Sequence, residues 1–215
     1  MTNRTLLLIL LASSLALLSI TTAFSSDMVV AAAEKVEEPV ARTSTTAVFA
    51  GGCFWCIEAD FEKLPGVNDV VSGYTGGSAE TANYKSVSYT ETGHFEAVQV
   101  NYDPDKVSYA ELVDYFWRHI DPTDAKGQFC DKGSSYKSAL FVSDADQKNI
   151  AERSLAELRI NKPFDAPIVT PILDAMPFYL AEDYHQDYYK KNPLRYRYYR
   201  NGCGRDKRVK ELWGD

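Results

Sequence analysis

The chain has 215 residues, 45% of them hydrophobic and 25% charged, with a formal net charge of -7. That is the composition of a globular protein with enough chain for one domain and a sizeable core. The acidic balance argues against a nucleic acid or an anionic membrane surface as partner.

Residues 1–33 belong to a different physical class from the rest. Arg4 precedes an apolar run from Leu6 to Ile20, interrupted only by Ser13, Ser14 and Ser19. The run has the length of a secretory signal core and is shorter than the roughly 18 residues a membrane span usually needs. Small residues suited to cleavage follow at Thr21-Thr22-Ala23 and at Ala31-Ala32-Ala33. Residues 1–33 therefore read as a signal peptide, cut after 23 or after 33, and the protein as exported, periplasmic or secreted. An uncleaved N-terminal membrane anchor is the competing reading. Residues 34–45, charged and small with Pro39, read as a linker, and the folded domain as 46–215.

Within that domain, Thr46 to Ala50 is a short apolar strand that runs straight into Gly51-Gly52-Cys53. From Phe54 the residues Ile57, Ala59, Phe61 and Leu64 mark one helical face, ended by Pro65-Gly66. Cys53 thus sits where a strand turns into a helix N-terminus. Unpaired N–H groups there carry partial positive charge, which favours a thiolate. Cys56 falls on the Ala59–Leu64 side of the helix and is expected to be buried.

Val67 to Tyr74 reads as a strand broken by Gly76-Gly77, and Ser78 to Gly93 as a surface loop that carries Tyr84. Phe95 to Tyr102 is the next strand, closed by Asp103-Pro104. Glu96 lies just inside it, either on the surface or in a partly apolar pocket that would raise its pKa and make it a general acid. Ser108 with Glu111 is a capping box that opens an aromatic helix through Trp117. Asp131 and Tyr136 stand at the mouth of a strand from Tyr136 to Val142, and Asp144 caps a helix to about Leu158. Prolines at 163, 167, 171 and 177 punctuate the following stretch, with an outer strand over Ile168 to Ile172. Phe178 to Lys191 reads as a helix and Pro193 to Asp215 as a basic, tyrosine-rich irregular segment. Strands and helices interleave irregularly, which favours a compact α+β fold over a doubly wound sheet.

All four cysteines, Cys53, Cys56, Cys130 and Cys203, follow the signal segment. An even count in an oxidising space ordinarily means structural disulfides, so a non-catalytic secreted binding domain held by two bridges is one reading. A general thiol-disulfide oxidoreductase using Cys53 and Cys56 is another. Zinc would need a second close pair, whereas Cys130 and Cys203 are isolated and His94, His119 and His185 lack paired spacing. Arg195, Arg197, Arg200, Arg205 and Arg208 alternate with Tyr196, Tyr198 and Tyr199 in a pattern met in nucleic-acid binders. In an acidic exported chain these side chains are expected instead to tie the tail to an acidic surface.

Seven motifs then combine: Gly52-Cys-Phe-Trp-Cys56, Gly73-Tyr-Thr-Gly-Gly77, Thr92-Gly-His-Phe-Glu96, Tyr102-Asp-Pro104, Asp121-Pro-Thr123, Gly133-Ser-Ser-Tyr136 and Tyr184-His-Gln-Asp-Tyr188. In this order they resemble the A-type peptide-methionine sulfoxide reductases, over about residues 46 to 213. The fold expected is α+β, a two-layer ferredoxin-like α/β sandwich with a long irregular C-terminal segment. The resemblance implies an enzyme that reduces methionine S-sulfoxide, free or in oxidised proteins, with no tightly bound cofactor and no metal. It implies a thioredoxin-like dithiol as external reductant, and the chain is expected to be a monomer.

Residue by residue, Cys53 matches the family's nucleophile and Glu96 the proton donor to the sulfoxide oxygen. Tyr84 and Tyr136 match the hydrogen-bond donors that stabilise the charge developing on that oxygen. Phe54 and Trp55 match the apolar walls around the methyl group on sulfur, and Asp131 the pocket aspartate that orients the polar network. Attack would leave Cys53 as a sulfenic acid, which a second thiol converts to a disulfide for the external dithiol to reduce. Cys203, flanked by Gly202 and Gly204, is the resolving thiol of choice over Cys56 and Cys130. Many members carry glycine where Cys56 stands, some have two C-terminal cysteines where this chain has only Cys203, and Cys130 is not general. Cys56 and Cys130 are accordingly expected to be buried thiols without a role.

Overall fold

The computed structural model describes residues 45–214. The expected signal segment, and the linker as far as residue 44, lie outside the described residues. Thr45 already belongs to the first strand, β1 (Thr45–Gly51), which leads into α1 (Phe54–Phe61). β2 (Val67–Thr75), α2 (Tyr84–Tyr89), β3 (Phe95–Tyr102) and α3 (Tyr109–Arg118) follow. Next come the two-residue strands β4 (Gly127–Gln128) and β5 (Asp131–Lys132), then β6 (Ser138–Val142) and α4 (Ala145–Asn161). The chain continues through β7 (Ile172–Asp174), β8 (Phe178–Leu180), α5 (Tyr188–Lys191), α6 (Pro193–Cys203) and α7 (Arg205–Trp213).

Among the described residues six strands form one sheet in the order β7-β6-β1-β3-β2-β8, and β4 pairs with β5 as a separate hairpin. The inner strands β6-β1-β3-β2 are each antiparallel to their neighbours, with α1 and α3 as the crossovers. This is the βαββαβ arrangement of the ferredoxin-like fold. β7 joins parallel to β6 and β8 antiparallel to β2 at the two edges.

The register explains the layering. Phe49 of β1 stands opposite Val98 of β3 and Leu140 of β6, so a single pleat carries all three to one face. That face meets Ile57 and Phe61 of α1 and Leu112 and Phe116 of α3 in the main core. Phe49 stacks on Phe61 at 4.8 Å. Burying each of these phenylalanines contributes on the order of 1.5–3 kcal/mol before entropy is counted. The opposite face carries the smaller cluster of Ala50, Ala97, Ala139 and Phe141. The helix starts follow local chemistry: Ser108 and Glu111 make the expected capping box, and the Asp144 side chain accepts from the Gln147 N–H.

Four segments differ from the sequence reading, the first being the outer strand expected over Ile168 to Ile172, which forms instead at Ile172–Asp174. The loop 78–93 contains α2, because the Asn83 side chain accepts from the Ser86 N–H and starts a turn of helix. Over 178–191 the chain first extends along β2 as β8, with Phe178 packed against Gly73, and only α5 is helical. Pro193 onward is not irregular. Pro193 occupies the first turn of α6, and Gly204, at φ +71°, ends α6 and opens α7. Basic side chains do fix this tail: Arg200 pairs with Asp60 at 3.0 Å and Arg208 with Asp121 at 2.7 Å. No helix among the described residues is long and apolar enough to cross a membrane.

Candidate active site

Cys53 is placed by the turn between β1 and α1. Gly52 takes φ +82°, and a Cβ there would lie 2.5 Å from the Cβ of Gln128, so both backbone conformation and space require glycine. Gln128 is itself fixed. Its amide oxygen accepts the Asp121 N–H at 2.8 Å, and its nitrogen donates to the carbonyls of Asp121 and Gly127. Cys53 then occupies the N-cap position of α1 without using its side chain as a cap, which leaves the sulfur for the pocket.

The pocket is small, about 70 Å³, and is lined by Cys53, Phe54, Trp55, Tyr84, Glu96, Asp131, Tyr136 and Tyr199. Seven of these are residues the sequence singled out, brought together from α1, α2, β3, β5 and the turn before β6. A wider depression of about 600 Å³ between α3 and α4 offers acidic and aromatic side chains but no thiol. Folding changes the acidity of Glu96 strongly. It is only 2% exposed, and burial pushes its pKa up to about 8 although its Oε2 accepts the Phe54 backbone N–H at 3.1 Å. At neutral pH it therefore holds a proton. Tyr84 and Tyr136 are also pushed up by burial and by Glu96, so both phenols stay neutral hydrogen-bond donors.

Trp55 is held from three sides. It stacks on Tyr188 at 3.7 Å and 5°, meets Tyr199 edge-on, and its indole N–H donates to His185 Nδ1 at 3.0 Å. His185 was not among the residues read from sequence as functional. Its ring also lies 5.0 Å from Phe54 and 4.4 Å from Tyr84, so it joins both walls of the pocket. Burial lowers its pKa to about 4, and a neutral ring with an accepting Nδ1 puts the proton on Nε2. Tyr199 was missed too; its place on the pocket required α6, which the sequence did not reveal.

The acidity of the thiols runs against the helix-terminus expectation for Cys53. Cys53 and Cys56 are both free and buried, and they hydrogen-bond each other. Burial first, then the hydrogen bond to Cys56, push the Cys53 thiol well up. Cys56 is lowered, first by accepting from Cys53 and then by the charges of Arg205 and Arg200. Cys56 is therefore the more acidic thiol of the pair. Those cations are built in: Arg205 is fully buried, donates to the carbonyls of Gly51 and His119, and lies 3.7 Å from Asp60.

Cys130 and Cys203 are bonded to each other across 73 residues. This corrects the expectation for Cys130, which is exposed in the β4-β5 turn and not a buried free thiol. It also leaves Cys203 without a free thiol in this state. A domain with two bridges is not what the chain forms, since Cys53 and Cys56 remain reduced. Asp131 connects the two sulfur pairs: it accepts the hydroxyl of Tyr199, and one of its oxygens lies with both bridge sulfurs inside a 4.8 Å cluster.

Comparison with known proteins agrees with this geometry. The family model of peptide methionine sulfoxide reductase matches residues 45–215. Peptide methionine sulfoxide reductase MsrA of Ligilactobacillus salivarius is 54% identical over 168 residues, covering 78% of this chain and 97% of the relative. The MsrA of Bacillus subtilis is 52% identical over 168 residues, covering 78% and 95%. The match to the MsrA/MsrB protein of Vibrio cholerae, 50% identical over 78% of this chain, spans only 44% of that longer protein. The reduced crystal structure of Mxr1 from Saccharomyces cerevisiae superposes with a TM-score of 0.65 at 33% identity, covering 74% of this chain and 91% of that one. The chain belongs to the peptide methionine sulfoxide reductase family.

Proposed function

We propose that Cys53 attacks the sulfur of a methionine S-sulfoxide while Glu96 delivers a proton to the departing oxygen. The observation that carries this assignment is that the Cys53 sulfur and a buried, protonated carboxyl line the same small pocket. One Glu96 oxygen is occupied by the Phe54 N–H, so the other is left to carry the proton. Tyr84 and Tyr136 hold the sulfoxide oxygen, and Phe54 and Trp55 enclose the methyl group. The proton that leaves Cys53 replaces the one that Glu96 gives to the oxygen, so the carboxyl is restored. The balance is a sulfoxide and a thiol converted to a thioether and a sulfenic acid: the substrate sulfur is reduced, Cys53 is oxidised, and one oxygen moves between them.

Cys203 resolves the sulfenic acid once its bridge to Cys130 has been opened. Its position supports this role, since Tyr199, one turn earlier on α6, already lies on the pocket and within hydrogen-bond reach of the Cys53 sulfur. A thioredoxin-like dithiol supplies the electrons. The apolar run after Arg4 supports action on exported proteins, with the reductant on the same side of the membrane.

The test is reduction of the two methionine sulfoxide epimers with dithiothreitol, using wild type and Cys53→Ser. Reduction of the S epimer alone, abolished in Cys53→Ser, is the expected result. Undiminished methionine formation by Cys53→Ser would remove the nucleophile from this reading.

A further inference from the structure

The pocket poses a physical problem for recycling. Cys53 is 6% exposed and Cys56 2%, and the cavity above them holds about 70 Å³. A protein dithiol cannot enter such a space, so the oxidising equivalents generated at Cys53 need an exit on the surface. The Cys130–Cys203 bridge has three properties of that exit.

It is reachable from outside. Cys130 is exposed at the tip of the β4-β5 hairpin, and with Tyr198, Tyr199, Asn201, Gly202 and Cys203 it lines a groove of about 530 Å³. Tyr198, 83% exposed, offers a ring beside the bridge to an incoming partner. It is also connected to the nucleophile. Tyr199 lines both the pocket and this groove, lies against the Cys53 sulfur, and donates to Asp131, whose Oδ2 is 3.8 Å from the Cys203 sulfur. Finally, the segment that carries Cys203 has room to shift. A Cβ placed at Gly202 or Gly204 would meet nothing within 4 Å.

We infer that Cys130 is the terminal thiol of the recycling path, and that the Cys130–Cys203 bridge is the oxidised end state on which an external dithiol protein docks. The inference rests on the reading of Cys53 as nucleophile and Cys203 as resolving thiol. In the first step the Cys53 sulfenic acid and the Cys203 thiol form a Cys53–Cys203 disulfide and release water. In the second the Cys130 thiol attacks the Cys203 sulfur, forming Cys130–Cys203, and Cys53 leaves with the proton that Cys130 gives up. The donor dithiol then attacks the exposed Cys130 sulfur and leaves as a disulfide, returning two electrons and two protons to Cys130 and Cys203. Cys53 and Cys56 emerge reduced, as they stand in this structure.

The experiment uses the full chain, reduced, freed of reductant and mixed with one equivalent of methionine S-sulfoxide. Alkylation and peptide mapping then locate the disulfide. The expected product is Cys130–Cys203 with Cys53 and Cys56 alkylated. A disulfide that contains Cys53, with Cys130 alkylated, would overturn the inference. In Cys130→Ser the path should stop at Cys53–Cys203 after one methionine per chain, a yield that also shows the site to be folded. Its steady-state turnover with thioredoxin, thioredoxin reductase and NADPH should fall at least tenfold while turnover with dithiothreitol persists. A wild-type rate with thioredoxin would exclude Cys130 as the exit. Methionine formation unchanged in Cys53→Ser would instead condemn the underlying reading of the nucleophile, which keeps the two failures distinct.

Discussion

Glu96 accepts its hydrogen bond from the backbone N–H of Phe54, the residue directly after the proposed nucleophile, at 3.1 Å. The bond ties Glu96, the proposed proton donor, to the first turn of the helix that follows Cys53, so the two side chains keep a fixed spacing. It also favours the ionised carboxylate, yet burial outweighs it and the pKa stands at about 8. A hydrogen bond to a charged group contributes about 1.5–3 kcal/mol, less than the cost of stripping a carboxylate of water in an apolar pocket.

In the proposed reaction the active form of Glu96 is therefore the protonated one. It is fully present well below pH 8 and lost as pH rises through about 8, so the rate should fall on the alkaline side with that midpoint. Glu96→Gln should lower kcat by about 10²–10⁴-fold and abolish that alkaline limb. Initial rates across pH for both proteins check this. A Gln variant with the wild-type rate and pH profile would remove Glu96 from the chemistry.

The thiol pair makes a second prediction. Cys56 is the more acidic of the two because its sulfur accepts from Cys53 and lies in the field of Arg205 and Arg200. Removing a cation disfavours an anion, so Arg205→Met should move the thiolate titration of the resting enzyme to higher pH. Ultraviolet thiolate absorbance followed against pH reads this directly. The first of the two thiolate transitions to appear as pH rises should also vanish in Cys56→Ser; its survival there, with loss in Cys53→Ser, would make Cys53 the more acidic thiol after all.

Part of this was legible in the sequence for local reasons. Ser108 and Glu111 announce their helix because a capping box lies within four residues, and Thr46 to Ala50 shows the apolar run that turns into Cys53. The pocket residues were legible through their motifs. α6 was not, because its buried face consists of Tyr196 and an Arg200 that pairs with Asp60, so no apolar period marks it. The Cys130–Cys203 bridge spans 73 residues, and four cysteines allow three pairings that only the folded chain distinguishes. The helix-terminus reading of Cys53 failed because it weighed the backbone dipole without the burial that opposes it.

His185 offers a test of how the walls are held. His185→Ala takes the acceptor from the Trp55 indole N–H and the packing from Phe54 and Tyr84. The buried donor left alone costs about 1–3 kcal/mol, and a mobile Trp55 should raise KM. Its pKa of about 4 has a signed consequence. Between pH 6.5 and about 4 the unfolded chain binds a proton that the folded chain refuses, so this histidine costs stability as pH falls through that window. Urea unfolding of wild type and variant at neutral and acid pH should show the difference narrowing toward acid; an unchanged difference would contradict it.

Gly52 should be the least replaceable residue of the nucleophile turn. An alanine there meets two costs, a left-handed φ of +82° and a Cβ 2.5 Å from Gln128 Cβ. The first is worth about 1–2 kcal/mol and the second about 1–3 kcal/mol. Relief must come from Gln128, whose amide pins the 121 and 127 backbone, or from the turn itself, which would carry Cys53 away from Glu96. Gly52→Ala should therefore lose about 2–5 kcal/mol of stability and most of its kcat together. Gly202→Ala is the matched control: a Cβ there meets nothing within 4 Å, so stability should stay within about 0.5 kcal/mol. Denaturant midpoints and rates for the two variants decide it, and a fully active, stable Gly52→Ala would show that the turn does not set the position of Cys53.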